Sequence, residues 1–474
     1  MSIHYTIAVI GAGPGGYIAA LRAAARGAPT VVIEKSHLGG TCLNWGCIPS
    51  KALLTSAELL HQIEHSKKWG IGVNGVSHDW GAIQKHKDKV IRQLRGGIGV
   101  LFKGRGVTHM AGTATLDGPG RIVVDDGKGT RQTITADHVI LATGSVPTRI
   151  PNWPADPQIV CTSDEAVHWA SLPKKLLIVG GGVIGCEFAC MMQPFGVEVT
   201  VVELLPELLP TLDRDLGASL RKVFEARGIK CLVDTKVHDM AIKDGIASVT
   251  LSNGQSATFD RVLVSVGRSP NTRSLGLDTV GITPSPKGFV KVDDHMQTDA
   301  QGIYCIGDAN GRCLLAHAAS AHGVAAAENA LGHRHAFTSP IPSAVYTFPE
   351  IGSVGLTEQE CRQRELPIAI GRFAIGTLGK AMAAQHTDGF VKTIRHRETD
   401  ELLGVHMIGH NATECIAAAG VLMHTKATNH DLAEAVFAHP TIGEAIKESA
   451  EDALGLGLHQ APRKVIRIPA TIAG

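Results

Sequence analysis

"YTIAVIGAGPGGYIAALRAAARGAPTVVIEK", residues 5 to 35, decides the fold. A short apolar run is followed by Gly11, Gly13 and Gly16, an alanine-rich helical pattern and a second apolar run ending at Glu34. That order is a strand, a glycine turn, a helix and a parallel strand. A second copy, "LLIVGGGVIGCEFACMMQPFGVEVTVVE" at 176 to 203, carries Gly180, Gly182, Gly185 and Glu203. In both copies the acid comes 18 residues after the third glycine. A dinucleotide pyrophosphate needs backbone N–H groups aimed from a helix N-terminus, and a Cβ at the closest points blocks its approach. The acid accepts hydrogen bonds from ribose hydroxyls. Glu203, followed by "LLPELLP" with no Arg or Lys, favours NAD over a 2′-phosphorylated form. A lone fingerprint can be a tight turn without a ligand, but two copies with equal spacing argue against coincidence. Two dinucleotides imply hydride passing between redox cofactors, commonly a flavin and a nicotinamide.

With 474 residues the chain is long enough for about three domains. Lys and Arg total 45 against 44 Asp and Glu, so no net field draws it to nucleic acid or an anionic membrane. The longest apolar runs are broken by glycine and fall short of a bilayer span. The start shows no basic, apolar and small-residue export pattern, so a soluble, cytoplasm-like location is expected, with a processed mitochondrial matrix form equally compatible. Ten cysteines over this length are too sparse for a secreted disulfide scaffold.

The proline-rich "VPTRIPNWPADPQ" at 146 to 158 reads as a linker. The expected class is α/β with two Rossmann-like dinucleotide domains: 1–150 for the first, an inserted 151–272 for the second, and 273–340 completing the first. Segment 341–474 alternates short β-like and helical runs, as a C-terminal α+β domain would.

"GGTCLNWGCIPSKALL", residues 39 to 54, carries Cys42 and Cys47. Cys186 and Cys190 lie on a packed helical pattern and read as core thiols, whereas "TCLNWGC" lacks apolar periodicity. Cys42, Cys47, His61 and His65 approximate a zinc template, C-x4-C-x13-H-x3-H. The pattern "SKALLTSAELLHQIEH" already has a core stripe in Leu53, Ala57 and Leu60, and no metal is expected. A redox disulfide requires distortion, since residues five apart on a helix sit roughly 8.6 Å apart, beyond the ~7 Å bridging limit. Gly46 and Pro49 permit that distortion. A helix N-terminus and Lys51 would stabilise a thiolate.

Thiol–disulfide exchange needs a proton acceptor, and histidine titrates in the right range. In "AHPTIGEA", His439 precedes a proline that biases it to an extended or turn form, with a cis bond allowed. Glu444 has two readings from spacing: the acid of a capping box with Thr441, or an acceptor for one His439 ring nitrogen.

Taken with "ILATGS", "GGGVIGCE", "VGRSPNT", "GIYCIGDA", "PEIGSVGLTE" and "HPTIGEA", these stretches resemble the class I flavin-dependent pyridine nucleotide–disulfide oxidoreductases over essentially the whole chain. Within that family they resemble the branch that oxidises dihydrolipoamide. The resemblance implies FAD on Gly11, Gly13, Gly16, Glu34, Lys51, Gly144, Asp308 and Ala316, and NAD on Gly180, Gly182, Gly185, Glu187, Glu203 and Gly267. It implies that Cys47 faces the flavin, that Cys42 exchanges with substrate, and that His439 and Glu444 form the base and its orienting acid. The pair would reach the site from the other subunit of a homodimer through a C-terminal dimerisation domain. It further implies docking on the lipoyl-bearing acyltransferase core of a 2-oxo acid dehydrogenase complex, or on a glycine cleavage lipoyl protein. Ala318 stands where many relatives carry lysine, and His410 and Thr413 where proline and glycine are common.

Glutathione reductase should show basic residues after Glu203, where Leu204 and Leu205 stand. Mercuric reductase should end in a cysteine pair, yet no cysteine follows Cys415. A non-catalytic flavoprotein subunit is opposed by the intact set Cys42, Cys47, His439 and Glu444.

Overall fold

A computed structural model of the chain describes residues 3–154, 156–461 and 466–468, so the ends of the first and last expected segments lie outside the described residues. The opening unit is a strand, Ile3–Ile10, a helix, Pro14–Ala25, and a parallel strand, Thr30–Glu34. Side chains alternate across the first strand. Ile7 and Val9 pack with Val32, Ala19, Ala20 and Ala23, whereas Ala8 and Ile10 pack with Val31 and Ile33 on the other face. Both faces are buried, which is why the strands read as continuous apolar runs. The sheet orders Thr108–Ala111, Thr30–Glu34, Ile3–Ile10 and Arg131–Leu141 in parallel, then the antiparallel Arg121–Asp125 and Thr113–Leu116. Strand Ile303–Cys305 returns to pair in parallel with Arg131–Leu141.

The alanines of Pro14–Ala25 let the helix Ala316–Ala330 approach closely. A Cβ added to Gly323 would lie 2.4 Å from the Gly15 carbonyl oxygen, so only glycine fits that crossing. The buried Glu328 closes the pair by accepting hydrogen bonds from Arg22 and Arg26.

The second fingerprint forms another parallel sheet, ordered Lys230–Leu232, Glu198–Val202, Lys175–Val179, Arg261–Val264 and Val160–Thr162. Its helix, Val183–Met192, lies against the cysteine helix, Cys47–Glu64; Leu53 and Ala57 share one core with Cys186, Phe188 and Met191. An antiparallel meander, Val237–Lys243, Ile246–Leu251 and Ser256–Phe259, covers this sheet, and a two-stranded ribbon pairs Ser145–Pro147 with Arg268–Pro270.

The C-terminal part is an antiparallel sheet of Ser343–Val345, Glu350–Gly355, Leu402–Gly409, Phe390–His396, Ile368–Ala374 and Ile466–Ile468. Helices Ala412–His424 and Glu444–Leu454 pack on it. Lys392, in the middle of Phe390–His396, is 2% exposed and binds Asp213, Asp215 and Glu358, joining this sheet to the second fingerprint unit. Among the described residues, no helix is long and apolar enough to cross a membrane.

Candidate active site

The two glycine turns are near copies. Gly11 and Gly180 have φ of 102° and 105°, and an added Cβ at either would meet a carbonyl oxygen at 2.4 Å, Ala142 in the first and Ser265 in the second. A Cβ at Gly16 or Gly185 would lie 2.0 Å from the carbonyl oxygen of Gly11 or Gly180. These four are glycine because protein backbone fills the space. The middle glycines differ: a Cβ on Gly182 meets nothing within 4 Å, and one on Gly13 only the Gly40 Cα at 3.9 Å. Both are N-caps of their helices, with no side chain capping the N–H groups. An open helix mouth with room at the middle glycine fits a dinucleotide pyrophosphate.

Each acid is tied to its own turn. Glu34 accepts from the Ala12 and Ser36 N–H groups, and Glu203 from those of Gly181 and Leu205. Two oxygens offer about four acceptor directions, so both carboxylates retain capacity for ribose hydroxyls while fixing the strand to the loop. Leu204 and Leu205 are exposed beside Glu203, leaving an apolar, uncharged rim where a 2′-phosphate would need a cation.

The cysteine stretch is bent as its spacing required. A short helix, Gly40–Asn44, holds Cys42, and the chain breaks at Trp45 and Gly46 before Cys47 opens the next helix. The helix starts two residues earlier than Pro49, so Cys47 is its first residue and sits at the positive end of its dipole. Pro49 is tolerated because first-turn N–H groups have no helical acceptor. The thiols are unbridged, and Cys42 donates to Cys47. That hydrogen bond, aided by Lys51 and a backbone N–H, brings Cys47 down to about 7 against the effect of burial; the same contact, with burial, drives Cys42 well above the ordinary thiol range. The pair is therefore asymmetric, with Cys47 the more acidic thiol.

Lys51, one turn beyond Cys47, reaches both Glu187 oxygens at 2.9 and 2.8 Å and lies over the Tyr346 ring, 4.4 Å from its centroid. Glu187 is buried on Val183–Met192 and also accepts from the Tyr346 N–H at 3.1 Å. One ion pair thus brings the thiol helix and the second fingerprint helix to a common point. Across from it, Asp308 accepts from Ser145, which in turn accepts from Arg268 at 2.6 Å. Gly144 and Gly267, both at positive φ, bracket this ribbon, where the Asn271 N–H donates to Gly144 and the Thr148 N–H to Gly267. Ala316 opens the helix Ala316–Ala330.

His439 and Glu444 stand together elsewhere. The His439–Pro440 bond is cis, the His439 side chain is 78% exposed, and its Nδ1 donates to Glu444 Oε1 at 2.8 Å. Glu444 Oε2 accepts from the Thr441 N–H, but the Thr441 hydroxyl donates to the Ala438 carbonyl and the helix begins only at Glu444. The capping box is thus half formed, because Thr441 lies outside the helix it would cap. Glu444 fixes the tautomer of His439, leaving Nε2 as the free acceptor. Among the described residues, His439 makes no hydrogen bond to either cysteine.

The Cys–His zinc template does not assemble. His61 lies 14 residues along the helix from Cys47, a rise of roughly 21 Å. Ala318 is buried on its helix, Thr413 donates twice to Glu350, and His410 stacks on His386 at 4.1 Å. Sequence reasoning assigned no role to Tyr346, Ser145 or Arg268, although Ser145 ends "ILATGS" and Arg268 lies in "VGRSPNT"; they complete the site through contacts more than 100 residues distant.

Residues 5–323 match the pyridine nucleotide-disulphide oxidoreductase family, and residues 341–450 match its dimerisation domain. A relative from Chlamydia pneumoniae named dihydrolipoyl dehydrogenase is 40% identical over 465 residues, covering 98% of this chain and 100% of its own. One of the same name from Bacillus subtilis is 38% identical over 97% of this chain and 100% of its own. The crystal structure of LpdA from Mycobacterium tuberculosis superposes with a TM-score of 0.88 at 28% identity, covering 95% of this chain and 99% of that one. The chain belongs to the pyridine nucleotide-disulphide oxidoreductases, and it is an oxidoreductase.

Proposed function

We propose, starting from that membership, that the protein oxidises protein-bound dihydrolipoamide to lipoamide with NAD⁺ as acceptor. The observation that carries the reading is the Cys42–Cys47 thiol pair, polarised toward a Cys47 thiolate and tied through Lys51–Glu187 to the second dinucleotide helix. FAD would be held by Gly11, Gly13, Gly16, Glu34, Lys51, Gly144, Asp308 and Ala316, and when bound supplies the two-electron relay between dithiol and nicotinamide. NAD would be held by Gly180, Gly182, Gly185, Glu187, Glu203 and Gly267.

The chain's own chemistry is an exchange that balances. One dihydrolipoamide sulfur, as it loses its proton to Nε2 of the partner subunit's His439, attacks Cys42 of the oxidised pair; the Cys42–Cys47 bond breaks and Cys47 leaves as thiolate. The second substrate thiol attacks the first sulfur, closes the lipoyl disulfide and releases Cys42, which takes up that thiol's proton while the first stays on His439. Glu444 holds the imidazole by its other nitrogen and stabilises its charged form. Cys47 suits the leaving role because a lower thiol pKa leaves faster.

The domain reading goes with this: 1–150 and 273–340 as the FAD unit, 151–272 as the inserted NAD unit, and 341–474 as the dimerisation unit. A homodimer is needed because His439 is exposed and apart from the thiols of its own chain. The proposed partners are a lipoyl-bearing acyltransferase core of a 2-oxo acid dehydrogenase complex and a glycine cleavage lipoyl protein, in a bacterial cytoplasm or a mitochondrial matrix. Anaerobic titration of the purified protein with dihydrolipoamide is the test. A long-wavelength charge-transfer band and NADH formation on adding NAD⁺ are expected. Absence of both overturns the reading, and turnover with glutathione disulfide and NADPH instead would move the protein to the glutathione-reductase branch.

A further inference from the structure

The far end of the cysteine helix carries a second constellation. "HQIEH", residues 61 to 65, places His61 and His65 one turn apart on one face with Glu64 beside them. One ligand atom from each of the three lies within 4.8 Å of the others. The His65 Nδ1–H donates to the His61 carbonyl at 2.8 Å, which leaves its Nε2 lone pair outward; metal-binding imidazoles are commonly oriented by just such a bond. His61 and His65 border a cavity of about 260 Å³ that His386, His410, Glu58, Glu350 and Asp388 also line.

We propose that His61, Glu64 and His65 form a binding site for a divalent, imidazole-preferring metal ion of the zinc class, separate from the redox centre. A tetrahedral ion with bonds of about 2.1 Å sets its ligand atoms about 3.4 Å apart, so small rotations of the exposed Glu64 and His65 close the present spacing. Two imidazoles and a carboxylate are a borderline donor set that suits zinc over magnesium or calcium. Two cations also line the cavity: Arg227 donates to the Phe348 carbonyl, and Lys68 donates to the Gln385 carbonyl. Glu58, Glu350 and Asp388 place three carboxylates on the same cavity. This departs from the sequence expectation of no metal, since neither cysteine takes part.

The test is zinc titration of the tag-free, FAD-loaded protein with the Cys42–Cys47 pair oxidised, so that the redox thiols cannot compete. Competition against a chromogenic chelator should give one tightly bound equivalent. His65→Gln and Glu64→Gln should each weaken it about tenfold or more, while the exposed His333→Gln leaves it unchanged. Absence of stoichiometric zinc binding, or both site variants binding as the parent does, overturns the proposal. Thermal denaturation with and without zinc gives an independent readout, with a midpoint rise expected in the parent and not in His65→Gln.

Discussion

Alanine at Gly182 and at Gly185 should separate ligand approach from protein packing. At Gly182 the backbone has φ −74° and ψ −172°, open to any residue, and an added Cβ meets no atom within 4 Å. Gly182→Ala should therefore fold as the parent does, within about 0.5 kcal/mol by chemical denaturation. If NAD places its pyrophosphate at this mouth, the methyl displaces it from charge-assisted N–H bonds worth about 1.5–3 kcal/mol. That raises the KM for NAD⁺ by roughly 10- to 150-fold. The FAD content and the dihydrolipoamide half-reaction should not change, because the first turn is untouched. At Gly185 the methyl would lie 2.0 Å from the Gly180 oxygen and 3.0 Å from the Ser265 hydroxyl. Relief requires the turn to move by about 1 Å or more, at a stability cost of about 1–3 kcal/mol. Steady-state kinetics, flavin absorbance and denaturation curves measure all of this. The reasoning fails if Gly182→Ala binds NAD⁺ normally, or if it loses as much stability as Gly185→Ala.

Cys47 is held down to about 7, so it is thiolate above that pH and thiol below it; the charge-transfer absorbance of reduced protein should fade as pH drops through about 7. Lys51→Met removes a cation that favours the thiolate and should move the fading to higher pH, as followed by absorbance titration. Cys42→Ser should keep a charge-transfer band from Cys47 yet lose exchange with lipoamide, whereas Cys47→Ser should lose the band; identical spectra for the two would refute the asymmetry. Lys392→Ala strands the fully buried Asp213 and should cost about 3–5 kcal/mol in denaturation, with Lys392→Met no better because the same charge is uncompensated.

The fingerprints were legible because everything that makes them is local: strand, turn, helix and acid within about thirty residues. His439 and Glu444 were visible for the same reason, yet spacing could not choose between cap and acceptor. The choice came from where the helix begins, which depends on the cis proline turn and on Thr441 turning back to Ala438. Lys392 was illegible. In "FVKTIRH" it reads as a solvent-facing residue of a half-buried strand, but Phe390, Val391, Lys392, Thr393 and Ile394 are all buried. Asp213 and Glu358, brought over from other elements, cover the face that should have met water. Likewise Lys51 and Glu187 each stood in a motif, but 136 residues separate them and nothing in either motif shows that they pair.

That pairing ties the helix of the second glycine turn to the thiol helix. Glu187 is only 5% exposed, and a polar group so buried needs a hydrogen-bonding partner. Lys51 is that partner, and the same ammonium lowers Cys47 while Glu187 itself raises it. The Cys47 equilibrium therefore responds to both groups, and one of them sits on the helix that the second glycine turn opens. Any shift of Val183–Met192 that lengthens the 2.8 Å Lys51–Glu187 contact strengthens the pull of Lys51 on the thiolate and relieves the opposing carboxylate. The charge on the thiol is thus linked to the position of Val183–Met192 through a single ion pair.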